Sequence, residues 1–188
     1  DQAQKLDRQN KVRIRYVEAK AESTGIDAEA ADVVTAGQCW HWFDRPQAVR
    51  EVIRLLKPGG KLVVAHFDWL PLAGNVVEAT EALIKQYNPD WHFDGGLGMY
   101  PQWLPDLSEA GIRSIQTFSY DMTVPYTAEA WRGRIRASAG IAALDEDAAR
   151  RFDADHAELL SARFPASVLD VPHRVFAIVA RTAEVRTA

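Results

Sequence analysis

Three groups of side chains in this sequence carry the types and spacing needed for chemistry. The first is Gln38, His41 and Trp42. They sit in Asp32-Val33-Val34-Thr35-Ala36-Gly37-Gln38-Cys39-Trp40-His41-Trp42-Phe43. This stretch opens as a short apolar, β-branched run, breaks at Gly37, and then delivers polar and aromatic groups in quick succession. His41 titrates near neutrality, so it can orient an acceptor or take a proton. Packing against the start of the next helix is the plainer reading of His41 and Trp42. The second group is His66, Asp68 and Trp69, directly after Leu62-Val63-Val64-Ala65. There they contact a ligand, or Asp68 caps a turn. The third group, Trp91, His92, Tyr100 and Trp103, supplies aromatic walls that suit an apolar ligand or a positive charge. A loop packed on a sheet explains the same residues.

One basic stretch stands apart: Trp131-Arg132-Gly133-Arg134-Ile135-Arg136. On a helix Arg132 and Arg136 share a face. Turned into a pocket, an arginine clamps a carboxylate bidentately; turned outward, it forms a solvated face. The histidines lack metal-ligand spacing and Cys39 is the sole cysteine, so no metal and no internal disulfide are expected.

The elements that must position these groups follow from pattern. Residues 1–9 read as the end of a helix. Val12, Ile14 and Tyr16 alternate like a strand ending in Glu18-Ala19-Lys20-Ala21-Glu22. Residues 32–36 read as a strand. Asp44-Arg45-Pro46 starts a helix to about Leu56, Pro46 being tolerated in a first turn. Lys57-Pro58-Gly59-Gly60 turns the chain into a strand over 61–67, whose continuous apolar run suits burial on both faces. A helix is expected over 75–87, a glycine-rich loop over 88–98 and a short helix over 102–110. A strand follows over 115–122, then helices from Thr127 to about Ala139 and over 145–163, and a last strand over 174–181. Alternating strands and helices favour a mostly parallel sheet, the two late strands pairing antiparallel at one edge. Ligands bind such sheets beyond the carboxyl ends of the strands, where Gln38, His41, His66 and Asp68 fall.

Length and composition bound the answer. A chain of 188 residues with 47% apolar content forms one folded domain. The expected division is a single domain over 1–188 with helical substrate or lid insertions at 70–110 and 125–165. A net charge of −4 argues against a general grip on nucleic acid. No apolar run approaches a membrane span. Without a cleavable apolar leader, the simplest compartment is the cytoplasm.

The residues resemble the class I S-adenosylmethionine-dependent methyltransferases of the small-molecule type. The segment from Asp32 to Asp44 is similar to the family's fourth strand and its Gln-x-x-His-Trp-Phe variant. Leu56-Lys57-Pro58-Gly59-Gly60-Lys61-Leu62 is similar to the turn before the fifth strand. Tyr16-Val17-Glu18-Ala19-Lys20-Ala21-Glu22 is similar to the end of the third strand, which borders the adenine. The resemblance implies an α/β, Rossmann-like methyltransferase sheet and S-adenosylmethionine as cofactor. It implies methyl transfer to a small-molecule acceptor, with a carboxylate on it suggested by the arginine helix.

By the same resemblance Lys20, Ala21, Glu22, Ala36, Gly37, Gln38 and Trp42 border the cofactor, with Lys20 in place of the commoner acidic residue. His41 is the catalytic candidate. His66, Asp68, Trp69, Trp91, Tyr100, Trp103, Arg132 and Arg136 are the acceptor-binding candidates. The family's glycine-rich loop on the first strand and acidic residue on the second have no counterpart here. About 50 further residues, one to two βα units, are expected upstream. Two rivals stand beside this reading. A nicotinamide-dependent oxidoreductase would need a Tyr-Lys or similar pair after the fourth strand. A non-catalytic protein would bind a partner through the open half of the sheet. An oligomer is compatible with all three.

Overall fold

The computed structural model describes residues 2–112 and 114–183. Helix α1 (Gln2–Asn10) is followed by β1 (Ala31–Gly37), α2 (Arg45–Leu55) and β2 (Leu56–Trp69). Helices α3 (Val76–Tyr87) and α4 (Leu104–Glu109) lead to β3 (Ser114–Tyr126). Then come α5 (Ala128–Arg136), α6 (Ala139–Ala142), α7 (Glu146–Arg163) and β4 (Leu169–Arg181). The sheet order is β1-β2-β4-β3. β1 and β2 are parallel, while β4 runs antiparallel to both β2 and β3. The α/β sheet and its antiparallel late pair are as expected, while among the described residues one strand pair, β1–β2, is parallel and two are antiparallel.

Helix starts follow from side-chain oxygens that satisfy the free first-turn N–H groups. Asp44 accepts from the Gln47 N–H, Asn75 from Glu78, Thr127 from Ala130 and Asp145 from Ala148. The Lys57-Pro58-Gly59-Gly60 turn lies inside β2. β1 advances two residues, Ala31 to Val33, while β2 advances from Leu56 to Lys61. The extra residues loop out as a bulge. Gly59 takes φ +74°, and a Cβ on Gly60 would stand 2.8 Å from the Lys57 carbonyl oxygen, so this turn needs glycine at both places.

Two apolar clusters hold the fold. In one, α2 and α4 cover a face of the sheet, burying Val49, Val52, Trp103 and Leu107 against Leu62, Val64 and Ile178. In the other, α3, α5, α6 and α7 close on one another through Ile84, Trp131, Ile135, Phe152 and Leu160, over Leu169 and Val171 of β4. α7 buries Phe152, His156 and Leu160 on one face.

Three expectations are corrected. Residues 12–17 form no strand. Val12, Ile14, Tyr16 and Val17 are exposed, and the outer edge of β1 has no ladder partner among the described residues. Alternation marks a face, but a strand also needs a neighbour to bond with. The run 62–65 is buried on one face only. Leu62, Val64 and His66 face the α2–α4 layer, whereas Val33, Phe67, Phe118, Tyr120 and Met122 are exposed. The helix from Thr127 stops at Arg136 and restarts at Ala139. The expected helix end over 1–9 matches α1, with Asp1 outside the described residues. Among the described residues no helix is long and apolar enough to cross a membrane, and no group of three or more His, Cys, Asp or Glu could hold a metal ion.

Candidate functional site

The carboxyl ends of β1 and β2 open into a cavity of about 480 Å³. Gln38, His41 and Trp42 line it from β1 and the short 3-10 turn after it. Phe67, Asp68 and Trp69 line it from β2. Glu81 of α3, Trp91, Phe93 and Tyr100 of the following loop, and Arg134 and Ser138 of the α5–α6 corner complete the wall.

Asp68 organises the strand-end side. The Gln38 amide Nε2 donates to its Oδ1 at 2.7 Å, and the Tyr100 hydroxyl donates to its Oδ2 at 2.8 Å. Burial alone would raise the Asp68 carboxyl. His66, the Tyr100 hydroxyl and the Gln38 amide outweigh it and hold the carboxyl below its ordinary value. Gln38 has φ +57°, a left-handed conformation that costs a non-glycine residue about 1 kcal/mol. Three bonds hold it there: its N–H to Ala65 O, its Oε1 from the Phe67 N–H, and its amide to Asp68. The strain aims the Gln38 side chain across the gap between the two parallel strands. Its amide is therefore committed to Asp68 and β2.

His66 is 2% exposed, beside the stacked pair Tyr100 and Trp103, whose rings lie 4.0 Å apart and 3° from parallel. Its ring nitrogens have no hydrogen-bond partner, Nδ1 standing 3.6 Å from Asp68 Oδ2. His41 faces the cavity with its ring 5.3 Å from that of His66 and 5.4 Å from that of Phe93. Burial, then the neighbouring His66, push the His41 imidazole below its ordinary value against the pull of Asp68. The shift favours the neutral ring. Burial and the adjacent Asp68 push the Tyr100 phenol up, so it donates and does not ionise.

On the far side, Trp69 Nε1 donates to Glu81 Oε1 at 2.7 Å, and the Gly95 N–H donates to Glu81 Oε2 at 2.8 Å. Burial raises the Glu81 carboxyl. These bonds tie the 88–100 loop to α3. Asn88 Nδ2 donates to Gly140 O, and Arg174 donates to Leu97 O. Lys85 Nζ adds bonds to the Pro89 and Trp91 carbonyls, so the loop is tethered along its length.

Of the residues picked out from sequence, Gln38, His41, Trp42, Asp68, Trp69, Trp91 and Tyr100 meet at the cavity. His66 and Trp103 lie behind Tyr100. Lys20, Ala21 and Glu22 lie in a turn bridged by Lys20 and Ser23, fastened near the first group by Glu22 Oε1, which accepts the Asp44 N–H. Arg132 and Arg136 are not brought to the cavity. Both bond Glu129 and Asp153 between α5 and α7. Arg134, Glu81, Phe93 and Ser138 reach it unanticipated. Phe93 follows Trp91 and His92, and Arg134 sits in the basic helix, so a signal existed for these two. Glu81 and Ser138 carried none.

The Ala21 N–H has no partner among the described residues, Trp42 is 60% exposed, and nothing stands within 4 Å of the place a Gly37 side chain would begin. Open backbone at the end of β1 and an exposed indole beside the cavity are compatible with a ligand that carries a flat ring.

Residues 1–64 match the methyltransferase domain family. An uncharacterised methyltransferase of Schizosaccharomyces pombe is 46% identical over 39 residues, which are 21% of this chain and 16% of that protein. A ubiquinone/menaquinone biosynthesis C-methyltransferase of Idiomarina loihiensis is 38% identical over 56 residues, 29% of this chain and 22% of that protein. The matched segments thus span between about a sixth and a fifth of these relatives' length. The YcgJ protein of Bacillus subtilis superposes with a TM-score of 0.57 at 18% identity, covering 97% of this chain and 77% of that one. A candidate type II methyltransferase of Anaeromyxobacter dehalogenans gives 0.52 at 18% identity, with 91% and 72% covered. The parallel β1–β2 pair, the polar strand ends, the family match over residues 1–64 and these superpositions together identify the fold of this chain as that of the class I methyltransferases.

Proposed function

We propose that the protein transfers a methyl group from S-adenosylmethionine to a small-molecule acceptor held in the cavity. The observation that carries this reading is the Gln38–Asp68–Tyr100 network beside His41 at the carboxyl ends of two parallel strands. The Ala21 N–H, the Gly37 backbone and the face of Trp42 hold the cofactor. When bound, that cofactor supplies a methyl group on a positively charged sulfur. Transfer is an in-line displacement, for which the acceptor must be held at near-attack distance with water excluded. Asp68 and Tyr100 fix the cavity wall that positions the acceptor, and the tethered 88–100 loop shields it. His41 takes the acceptor's proton as the new bond to carbon forms. Trp42, Phe93 and Trp91 give the acceptor an apolar bed. A carboxylate on the acceptor fits this reading where a cation of the cavity wall is free to meet it.

Calorimetric titration of the full-length gene product with S-adenosylhomocysteine tests the reading. Micromolar binding is expected, and no heat at millimolar ligand overturns it.

Asp68→Asn gives a second test. An amide there removes the charge and one acceptor oxygen: its oxygen still accepts from Gln38 Nε2, and its N–H must meet the Tyr100 hydroxyl as a donor, so a charge-assisted bond is exchanged for a neutral, reversed one at a cost of about 1–2 kcal/mol. Transfer of radiolabelled methyl into a protein-free metabolite extract is expected to fall roughly tenfold to a hundredfold, with homocysteine-product affinity unchanged. Undiminished transfer would remove Asp68 from the site.

A further inference from the structure

We propose that Arg134 and Ser138 form an anion-reading end of the cavity that selects a carboxylate-bearing acceptor. The proposal rests on the cavity being the acceptor site.

Three observations carry it. First, Arg134 lines the cavity half-buried, with its guanidinium carbon 5.0 Å from the centre of the Trp69 ring. Among the described residues it has no hydrogen-bond or ion-pair partner. Its neighbours Arg132 and Arg136 both have carboxylates. Protein acid groups were within reach of this helix, and they are on the other face.

Second, Ser138 is buried, lines the same wall, and its Oγ has no partner. It occupies the cap position of α6, where a hydroxyl ordinarily accepts a helix N–H, yet it makes no such bond. Buried polar atoms without partners are rare in folded proteins. A free guanidinium lines the cavity, and four residues on an unpartnered hydroxyl lies buried in the same wall; these are the donors that this end of the cavity supplies to an anion.

Third, the guanidinium is presented on a prepared surface. Glu81 holds the Trp69 indole through Nε1, and the indole underlies Arg134. A guanidinium held over an aromatic ring keeps its N–H groups available to a carboxylate. The Glu81 carboxylate does not compete for the arginine with unbonded oxygens, because Trp69 and Gly95 donate to one each. The acceptor then spans the cavity with its anion at Arg134, its body on the aromatic bed and its reacting atom near His41.

The experiment is a calorimetric titration of the full-length protein with phenylacetate, its neutral amide phenylacetamide, and phenyl phosphate. Phenylacetate is expected to bind at least tenfold more tightly than phenylacetamide. In Arg134→Gln that preference is lost while phenylacetamide affinity holds, and the melting temperature falls only slightly, since the native residue makes no ion pair and gives up only its contact over Trp69. Ser138→Ala is expected to weaken phenylacetate about threefold. Equal binding of acid and amide, absence of phenylacetate binding, or a preference that survives Arg134→Gln overturns the proposal. A tenfold preference for phenyl phosphate over phenylacetate overturns its commitment to a carboxylate. S-adenosylhomocysteine is titrated into the same samples. Acid-over-amide selection in a protein that takes no S-adenosylhomocysteine overturns methyl transfer alone. S-adenosylhomocysteine binding without selection overturns the anion site alone.

Discussion

Trp131→Ala is expected to destabilise the protein by about 4 kcal/mol, within the range for removing a buried Trp. That corresponds to a fall in melting temperature of roughly 10 °C for a chain of this size. Trp131 is fully buried where α3, α5, α7 and the start of β4 converge. Its ring meets the edges or faces of Trp69 at 5.5 Å and Tyr126 at 5.4 Å. Its Nε1 donates to Thr80 Oγ1 at 3.1 Å. Alanine removes the ring and leaves a hole that rigid helices on three sides cannot fill. Trp131→Phe keeps most of the volume and loses the N–H, so its cost should be smaller, about 1–3 kcal/mol. Thermal melts of the two variants check the order. A loss for Trp131→Ala under about 1 kcal/mol would mean that this cluster does not set the stability measured by unfolding. The same substitution loosens the edge of Trp69, which carries Arg134, so cavity shape and helix-cluster stability are linked through one side chain.

What could be read from the residues, and what could not, divides along a physical line. β1, α2 and β2 were legible because each carries its own local signal: a β-branched run, Asp44 as cap with Pro46 in the first turn, and glycines at the positive-φ and close-approach positions of the 57–60 bulge. The strand-end placement of Gln38, His41 and Asp68 then follows from topology. Residues 12–17 misled because alternation is a property of the segment, whereas a strand is a property of a pair. The arginine helix shows the same limit. Helical spacing puts Arg132 and Arg136 together, but not which partner that face meets. Asp153 on α7 meets it, and Arg134, two residues from either and hence across the helix, turns to the cavity. Glu81 and Ser138 lie 57 residues apart in sequence (138 − 81) and join one wall only through tertiary packing. No local pattern encodes that meeting.

Stability is expected to fall as pH drops from about 6.5 to about 4, and His156 is the reason. It is fully buried on α7, its Nε2 3.1 Å from Thr80 Oγ1. The Thr80 hydroxyl donates to Val76 O at 2.7 Å, the shorter of its contacts, so it accepts from both Trp131 and His156. His156 thus carries its proton on Nε2, and Nδ1 is left buried with no partner. Burial depresses the imidazole to about 4, with Arg132 and Arg136 adding to the effect and Asp153 opposing it. The unfolded chain takes up a proton near pH 6.5 and the folded one near 4, so between these values the unfolded state binds more protons. The contribution is full above 6.5 and lost progressively toward 4, about 3 kcal/mol in all. His41 and His173 are lowered in the same direction, so the wild-type slope exceeds that of one group. Glu51, held to about 2 by Arg54 and Thr24, acts at lower pH, below the ordinary range of a glutamate. His156→Gln isolates the term: it keeps a donor for Thr80 and does not titrate. Urea unfolding of both proteins from pH 4 to 7.5 should show the variant less stable at pH 7 and its pH slope shallower by about the His156 share. Parallel curves would mean that His156 is protonated without penalty in the fold, and that Nδ1 finds a partner when it charges.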